Sequence, residues 1–183
     1  MRLFVSINLK DEVLEEVRQL QQQLCARGDA RMRPARHVHI TLGFLGEVES
    51  ESASRIAQAL GNLTFSPFEV SLAQLGFFGA RRQPRVIWLG VEPREPLIEL
   101  HSKVKEALKQ VSSADLGKGN FEPHITLARI KQAYAPEALL ASLETMPVAE
   151  LYIKVDIFSL MQSSMQPSGA IYTELGCYPA TYK

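Results

Sequence analysis

The stretch Arg36-His37-Val38-His39-Ile40-Thr41-Leu42-Gly43-Phe44 decides how this chain is read. Val38, Ile40, Leu42 and Phe44 alternate with His37, His39, Thr41 and Gly43, the period of two that a half-buried β-strand requires. Its centre, His39-Ile40-Thr41-Leu42, returns 85 residues later as His124-Ile125-Thr126-Leu127. The second copy repeats the arrangement, with Ile125 and Leu127 on one face and His124, Thr126 and Ala128 on the other. Each strand therefore presents an imidazole beside a hydroxyl. The interval is nearly half of the 183 residues, so the repeat points to a duplicated unit.

Periodicity on either side supports this. Arg2 to Asn8 reads as a strand. Asp11 to Cys25 reads as a helix with Val13, Leu14, Val17, Leu20 and Leu24 inward and Gly28 closing it. Ser50 to Leu60 is a second helix, Phe68 to Phe77 a strand, and Arg85 to Val91 another strand. A helix follows from about Pro96 to Val111, then the His124 strand, a helix from Pro136 through Leu143, a strand from about Leu151 to Leu160, and a last strand from about Ala170 to Cys177. Moving the first half by 85 lays strand on strand and helix on helix. The expected fold is α+β and bilobal: two pseudo-two-fold related lobes, each a small, mainly antiparallel sheet with two helices, with an active-site cleft between them. The chain is read as one domain over 1–183 with halves of roughly 1–84 and 85–183. No glycine-rich turn of the phosphate-cradling or dinucleotide kind is present, which disfavours a doubly wound sheet.

Composition narrows the function. A hydrophobic content of 46% supports a sizeable core. A formal net charge of zero disfavours a long non-specific nucleic-acid footprint, which needs many phosphate neutralisations. Local charge is less even: Arg27, Arg31, Arg33 and Arg36 precede the first motif, and Arg81, Arg82 and Arg85 form a second basic loop, both suited to a small anionic ligand. Cys25 and Cys177 lack metal-type spacing and read as reduced, partly buried thiols. The short apolar start, Met1 to Ile7, is not a signal peptide and no run is long enough to span a membrane. A cytoplasmic monomer is expected.

A histidine alone on a strand is ordinarily packed or solvated, and His101, sharing a helix face with Leu97, Val104 and Leu108, reads that way. His37 fits either a supporting place beside His39 or a solvated strand end. The matched pair His39 and His124 needs more. Two imidazoles facing one cleft suit a reaction in which one proton is removed and another supplied, because a side chain of pKa about 6.5 exists in both forms near neutrality. Thr41 and Thr126 would donate hydrogen bonds to anionic oxygens between them. That set describes cleavage of a phosphate ester, and a strained cyclic phosphodiester suits it best. A zinc site is disfavoured: only four histidines exist and no Cys or carboxylate stands at ligand spacing beside either motif. No metal and no cofactor is expected.

These residues resemble the 2H phosphoesterases, named for two His-x-Thr-x motifs, and within them the bacterial and archaeal RNA 2',3'-cyclic phosphodiesterases, also called 2'-5' RNA ligases. The resemblance spans nearly the whole chain: Arg2-Leu3-Phe4-Val5-Ser6-Ile7, the run His39 to Gly46, Pro84 to Gly90, Pro123 to Arg129, and Gly169-Ala170-Ile171-Tyr172. Met32 stands where relatives often carry Trp. The resemblance implies metal-independent hydrolysis of RNA 2',3'-cyclic phosphate ends to 2'-phosphomonoesters, with reversible 2'-5' joining of tRNA halves. It implies His124 as the base, His39 as the acid, Thr41 and Thr126 as phosphate binders, Arg129 as a phosphate contact and Phe4 as a pocket wall. Strict alternation carries Arg129 to the face opposite His124, so that role requires a bulge or a strand end. Two other classes fit the same residues: a non-catalytic binder of nucleotide or RNA ends, and a phosphodiesterase for a small cyclic nucleotide.

Overall fold

The computed structural model describes residues 1–112, 116, 120–167 and 169–181. In chain order the elements are β1 (Arg2–Asn8), α1 (Asp11–Ala26), β2 (Ala30–Pro34), β3 (His39–Glu47), α2 (Ser50–Gly61), β4 (Phe68–Ala80), β5 (Gln83–Glu92), α3 (Glu95–Leu108), β6 (His124–Ala133), α4 (Pro136–Thr145), β7 (Tyr152–Val155), β8 (Ile157–Gln166) and β9 (Gly169–Pro179). The α+β alternation matches the periodicity closely, because each helix buries one stripe: Val13, Val17, Leu20 and Leu24 on α1, and Leu97, Leu100, Val104 and Leu108 on α3. Three details differ from the sequence reading. β2, Ala30-Arg31-Met32-Arg33-Pro34, alternates apolar and charged residues, but five residues ending in proline are too short for that period to stand out. The strand expected near 151–160 is two strands broken at Asp156. The thiols of Cys25 and Cys177 are both exposed, because Cys25 follows the buried Leu24 onto the outer side of α1 and Cys177 lies on the edge strand β9.

The strands run in the order β7-β4-β5-β6-β3-β1-β8-β9, every pairing antiparallel. The order is symmetric about its centre. β6 mirrors β3 and β5 mirrors β1, as the 85-residue shift requires, while β4 mirrors β8. The two half-sheets meet through one bridge, Ile40 opposite Ile125, the residues inside the two His-Ile-Thr-Leu motifs. The helices bind the halves together by exchange: α1 packs beneath β2 and β6, and α3 packs beneath β3. Ile40, Leu42, Ile125 and Leu127 are all fully buried against these helices, and burying each side chain stabilises by about 1.5–3 kcal/mol. The core thus lies under the motif strands, and their opposite faces line the cleft.

Candidate active site

The site begins with the register at the centre of the sheet. Because Ile40 pairs antiparallel with Ile125, His39 comes across from Thr126 and Thr41 across from His124, all four on the face away from the core. One diagonal carries the two imidazoles and the other the two hydroxyls. All four are half-buried. The two motifs predicted from the sequence are therefore brought together by a single backbone pair.

Each motif strand then bulges at the same place. In the β1–β3 pair, Ser6 opposes Thr41 and Val5 opposes Gly43, so Leu42 is the extra residue. In the β5–β6 pair, Trp88 opposes Thr126 and Ile87 opposes Ala128, so Leu127 is the extra residue. A bulge of one residue reverses the alternation. Consecutive burial of Leu42 with Gly43, and of Leu127 with Ala128, records the reversal. Beyond it Phe44 and Arg129, both exposed, turn to the cleft face. The bulge on which the place of Arg129 depended is present.

Two buried polar side chains hold these bulges. Gln21 on α1 donates from Nε2 to the carbonyls of Leu127 at 2.8 Å and Ala35 at 2.9 Å, and the Ala35 N–H also donates to Leu127 at 2.8 Å. His101 on α3 places Nδ1 2.6 Å from the Leu42 carbonyl. A carbonyl can only accept, so Nδ1 carries the proton. His101 is packed as its helix face predicted, stacked on Phe121 with ring centroids 4.3 Å apart, and it also carries a hydrogen bond that the sequence did not reveal.

The catalytic candidates are oriented by their own strand entrances. His124 sets Nδ1 2.7 Å from the carbonyl of Glu122, two residues earlier, which leaves Nε2 as the ring nitrogen with a free lone pair. His39 likewise hydrogen-bonds the backbone of His37, two residues earlier. Burial pushes the His39 pKa down to about 4, aided by the charges of His37 and His124 and opposed by the hydrogen bond to the His37 backbone. Burial also lowers His124, while the backbone bond to Glu122 and the Glu122 carboxylate pull it back up. Both shifts favour the neutral imidazole near pH 7. An anion placed between them would raise both.

Aromatic rings wall the cleft. Phe4 stacks on His39 at 5.0 Å, and Tyr172 meets the edges of Phe4 at 5.0 Å and His39 at 5.7 Å. On the other side Phe78 meets His124 edge-on at 4.9 Å and Trp88 lies 6.2 Å from it. Trp88 rests flat on β4 at Gly76, where an added Cβ would come within 2.2 Å of the indole. Phe78, Trp88 and Tyr172 come from three strands, so no local pattern marks them as neighbours of the histidines. His37 is exposed and packs on Tyr172 at 4.9 Å. A cavity of about 400 Å³ is lined by Thr41, Phe44, Phe78, Phe121 and His124. Among the described residues no group of three or more His, Cys, Asp or Glu is placed to hold a metal ion.

Two matched strands, each carrying imidazole and hydroxyl into one aromatic-walled cleft, define a pseudosymmetric two-histidine α+β protein. Comparison with known proteins gives the class its name. Residues 7–165 match the model of the 2'-5' RNA ligase superfamily. The chain is 33% identical over 177 residues to the RNA 2',3'-cyclic phosphodiesterase of Archaeoglobus fulgidus, covering 96% of this chain and 98% of the relative. It is 32% identical over 178 residues to that of Thermotoga maritima, covering 96% and 93%. The crystal structure of E. coli LigT complexed with 3'-AMP superposes with a TM-score of 0.78 at 28% identity, covering 99% of this chain and 98% of that one. This chain belongs to the 2'-5' RNA ligase superfamily.

Proposed function

We propose that the protein hydrolyses RNA 2',3'-cyclic phosphate ends to 2'-phosphomonoesters, with His39 and His124 as the proton-transfer pair. The observation that carries this is the diagonal opposition of two imidazoles across Ile40–Ile125, each ring hydrogen-bonded to the backbone two residues before it. The cyclic phosphate would sit over the motif strands with Thr41 and Thr126 donating to its non-bridging oxygens and Arg129 facing its charge. His124 takes a proton from water as the water oxygen bonds to phosphorus. The bond from phosphorus to the 3' oxygen breaks, and His39 delivers its proton to that oxygen.

The electrostatics favour this assignment of roles. The Glu122 carboxylate makes His124 the better proton acceptor. His39, with its lower affinity for protons, is the stronger acid once charged. The substrate's own negative charge supplies the field that protonates it. Phe4, held against His39, would exclude water from the leaving oxygen and pack on the ribose. The same pair acting in the same sense, with the 5' hydroxyl of a second RNA end in place of water, would join ends by a 2'-5' linkage: His124 takes the hydroxyl proton as its oxygen bonds to phosphorus, and His39 protonates the departing 3' oxygen.

The relatives' activity and the intact acid–base pair both support hydrolysis over mere binding, since a binder has no use for paired proton carriers. The test is turnover of an oligoribonucleotide ending in 2',3'-cyclic phosphate, with product identified as the 2'-phosphate. His39→Ala and His124→Ala should each lower kcat/KM by about 10² to 10⁴ while leaving the melting temperature close to wild type. Near-normal rates in either variant would overturn the acid–base assignment.

A further inference from the structure

Beyond the histidines, the cleft face carries more positive charge than one cyclic phosphodiester can neutralise. Arg33 of β2 stands directly opposite Arg129 of β6 in the antiparallel register. Like charges placed so repel, and such a pair destabilises a sheet. Neither guanidinium makes an ion pair among the described residues, and both residues are exposed. Arg36, in the link from β2 to β3, brings a third guanidinium to the same region. At Gly169, the start of β9, an added Cβ would lie 3.6 Å from Arg36 Nη1 and 3.8 Å from Arg33 Nη2, so these two head groups converge on one point.

Placement relates this cluster to the site. Arg129 is the first cleft-facing residue after Thr126, brought there by the Leu127 bulge. Arg33 is its cross-strand neighbour, one strand further from the catalytic centre. Arg36 lines a second cavity, of about 350 Å³, together with Phe4, Ser6, His37, His39 and Tyr172. In its wall the Ser6 hydroxyl is fully buried and has no hydrogen-bond partner among the described residues, although a buried hydroxyl is ordinarily satisfied. The line from the motif strands through Arg129 to Arg33 and Arg36 thus offers donors to two successive anions, with the apolar cavity around Phe44, Phe78 and Phe121 on the other side.

We propose that Arg33 and Arg36 form a subsite for the phosphodiester immediately 5' of the terminal nucleotide, so that the preferred substrate is the end of a polynucleotide chain and not a cyclic mononucleotide. This inference rests on the cyclic-phosphodiesterase reading above. A second phosphate beside Arg33 would remove the repulsion with Arg129. The paired guanidiniums supply the planar, multidentate donors that phosphate oxygens favour. Their position on β2 and the link that follows it explains why they would contribute to choosing the substrate without touching the reacting atoms.

The test compares kcat/KM for a nucleoside 2',3'-cyclic phosphate and for a dinucleotide ending in the same cyclic nucleotide, in wild type and in the R33Q/R36Q double variant, at several salt concentrations. Wild type should favour the dinucleotide by on the order of tenfold at low salt, the worth of about one charge-assisted contact. This ratio should fall with salt with a log–log slope near −0.7 per phosphate engaged. In the double variant the ratio should collapse toward one and lose its salt slope. A general structural defect would slow both substrates alike and leave the ratio standing, which would overturn the inference. Equal use of both substrates by wild type would also overturn it while leaving the hydrolase reading intact. Failure to hydrolyse either would overturn the reading itself and the inference with it.

Discussion

Replacing Gln21 with leucine probes how the fold aims the site from a distance. Gln21 is 9% exposed and gives its amide protons to two carbonyls, Leu127 at 2.8 Å and Ala35 at 2.9 Å. In the leucine variant the Leu127 carbonyl keeps the Ala35 N–H, but the Ala35 carbonyl loses the partner supplied by Gln21. The Ala35 carbonyl is only part-buried, so the cost lies at the low end of the range of about 1–3 kcal/mol for an unpaired buried acceptor, about 1 kcal/mol. For a chain of this size that is a fall in Tm of about 2–4 °C. The second consequence is catalytic. The bulge at Leu127 is what turns Arg129 to the cleft, and a displacement of about 1 Å in a positioned group can cost about 10²-fold in rate. The Gln21→Leu protein, assayed at 25 °C where it remains folded, should lose tenfold or more in kcat/KM on a cyclic-phosphate RNA end. The exposed neighbour Gln22→Leu should change neither quantity. A Gln21→Leu protein that melts within about 1 °C of wild type, or that loses stability yet keeps full kcat/KM, would refute the view that this side chain holds the bulge and the bulge holds the site.

The remaining predictions concern protons and metals. Because burial holds His39 down to about 4 and also lowers His124, the bell for kcat/KM should centre on the acid side of the imidazole reference of about 6.5. The bell for kcat should lie at higher pH, since bound phosphate raises both groups. A rate climbing steadily to pH 10 would sink the two-histidine mechanism. The same depressed His39 pKa links stability to pH: its contribution is complete above the unfolded value of about 6.5 and is lost as pH falls toward about 4. Thermal melts of His39→Gln should therefore show a weaker loss of stability between pH 7 and 4.5 than wild type, and parallel curves would contradict the burial of a neutral ring. The H39A/H124A double variant should be scarcely slower than either single variant, because the two act as one unit; multiplicative losses would argue for independent roles. Turnover should persist in excess EDTA, the reaction relying on imidazoles and hydrogen-bond donors; complete loss restored by zinc or magnesium would refute that.

What the sequence alone determined was whatever repeats locally. The alternation through His39–Leu42 and His124–Leu127 marks two half-buried strands, the stripes over Asp11 to Cys25 and about Pro96 to Val111 mark two equivalent helices, and the interval between the motifs announces the pseudosymmetry. These signals survive because a period of 2 or 3.6 is a property of one segment facing one core. Tertiary structure decided the rest. The bulges at Leu42 and Leu127 exist only relative to partner strands, and strict alternation put Arg129 on the wrong side until that register was known. β2 finds its partner in β6, from the other half of the chain, and so sets Arg33 against Arg129. Gln21 lies 106 residues from Leu127, and His101 lies 59 from Leu42. The aromatic walls Phe78, Trp88 and Tyr172 converge from β4, β5 and β9. Chain separation hides such pairs from any local reading, because what joins them is the closing of the sheet, and a contact made there leaves no period behind.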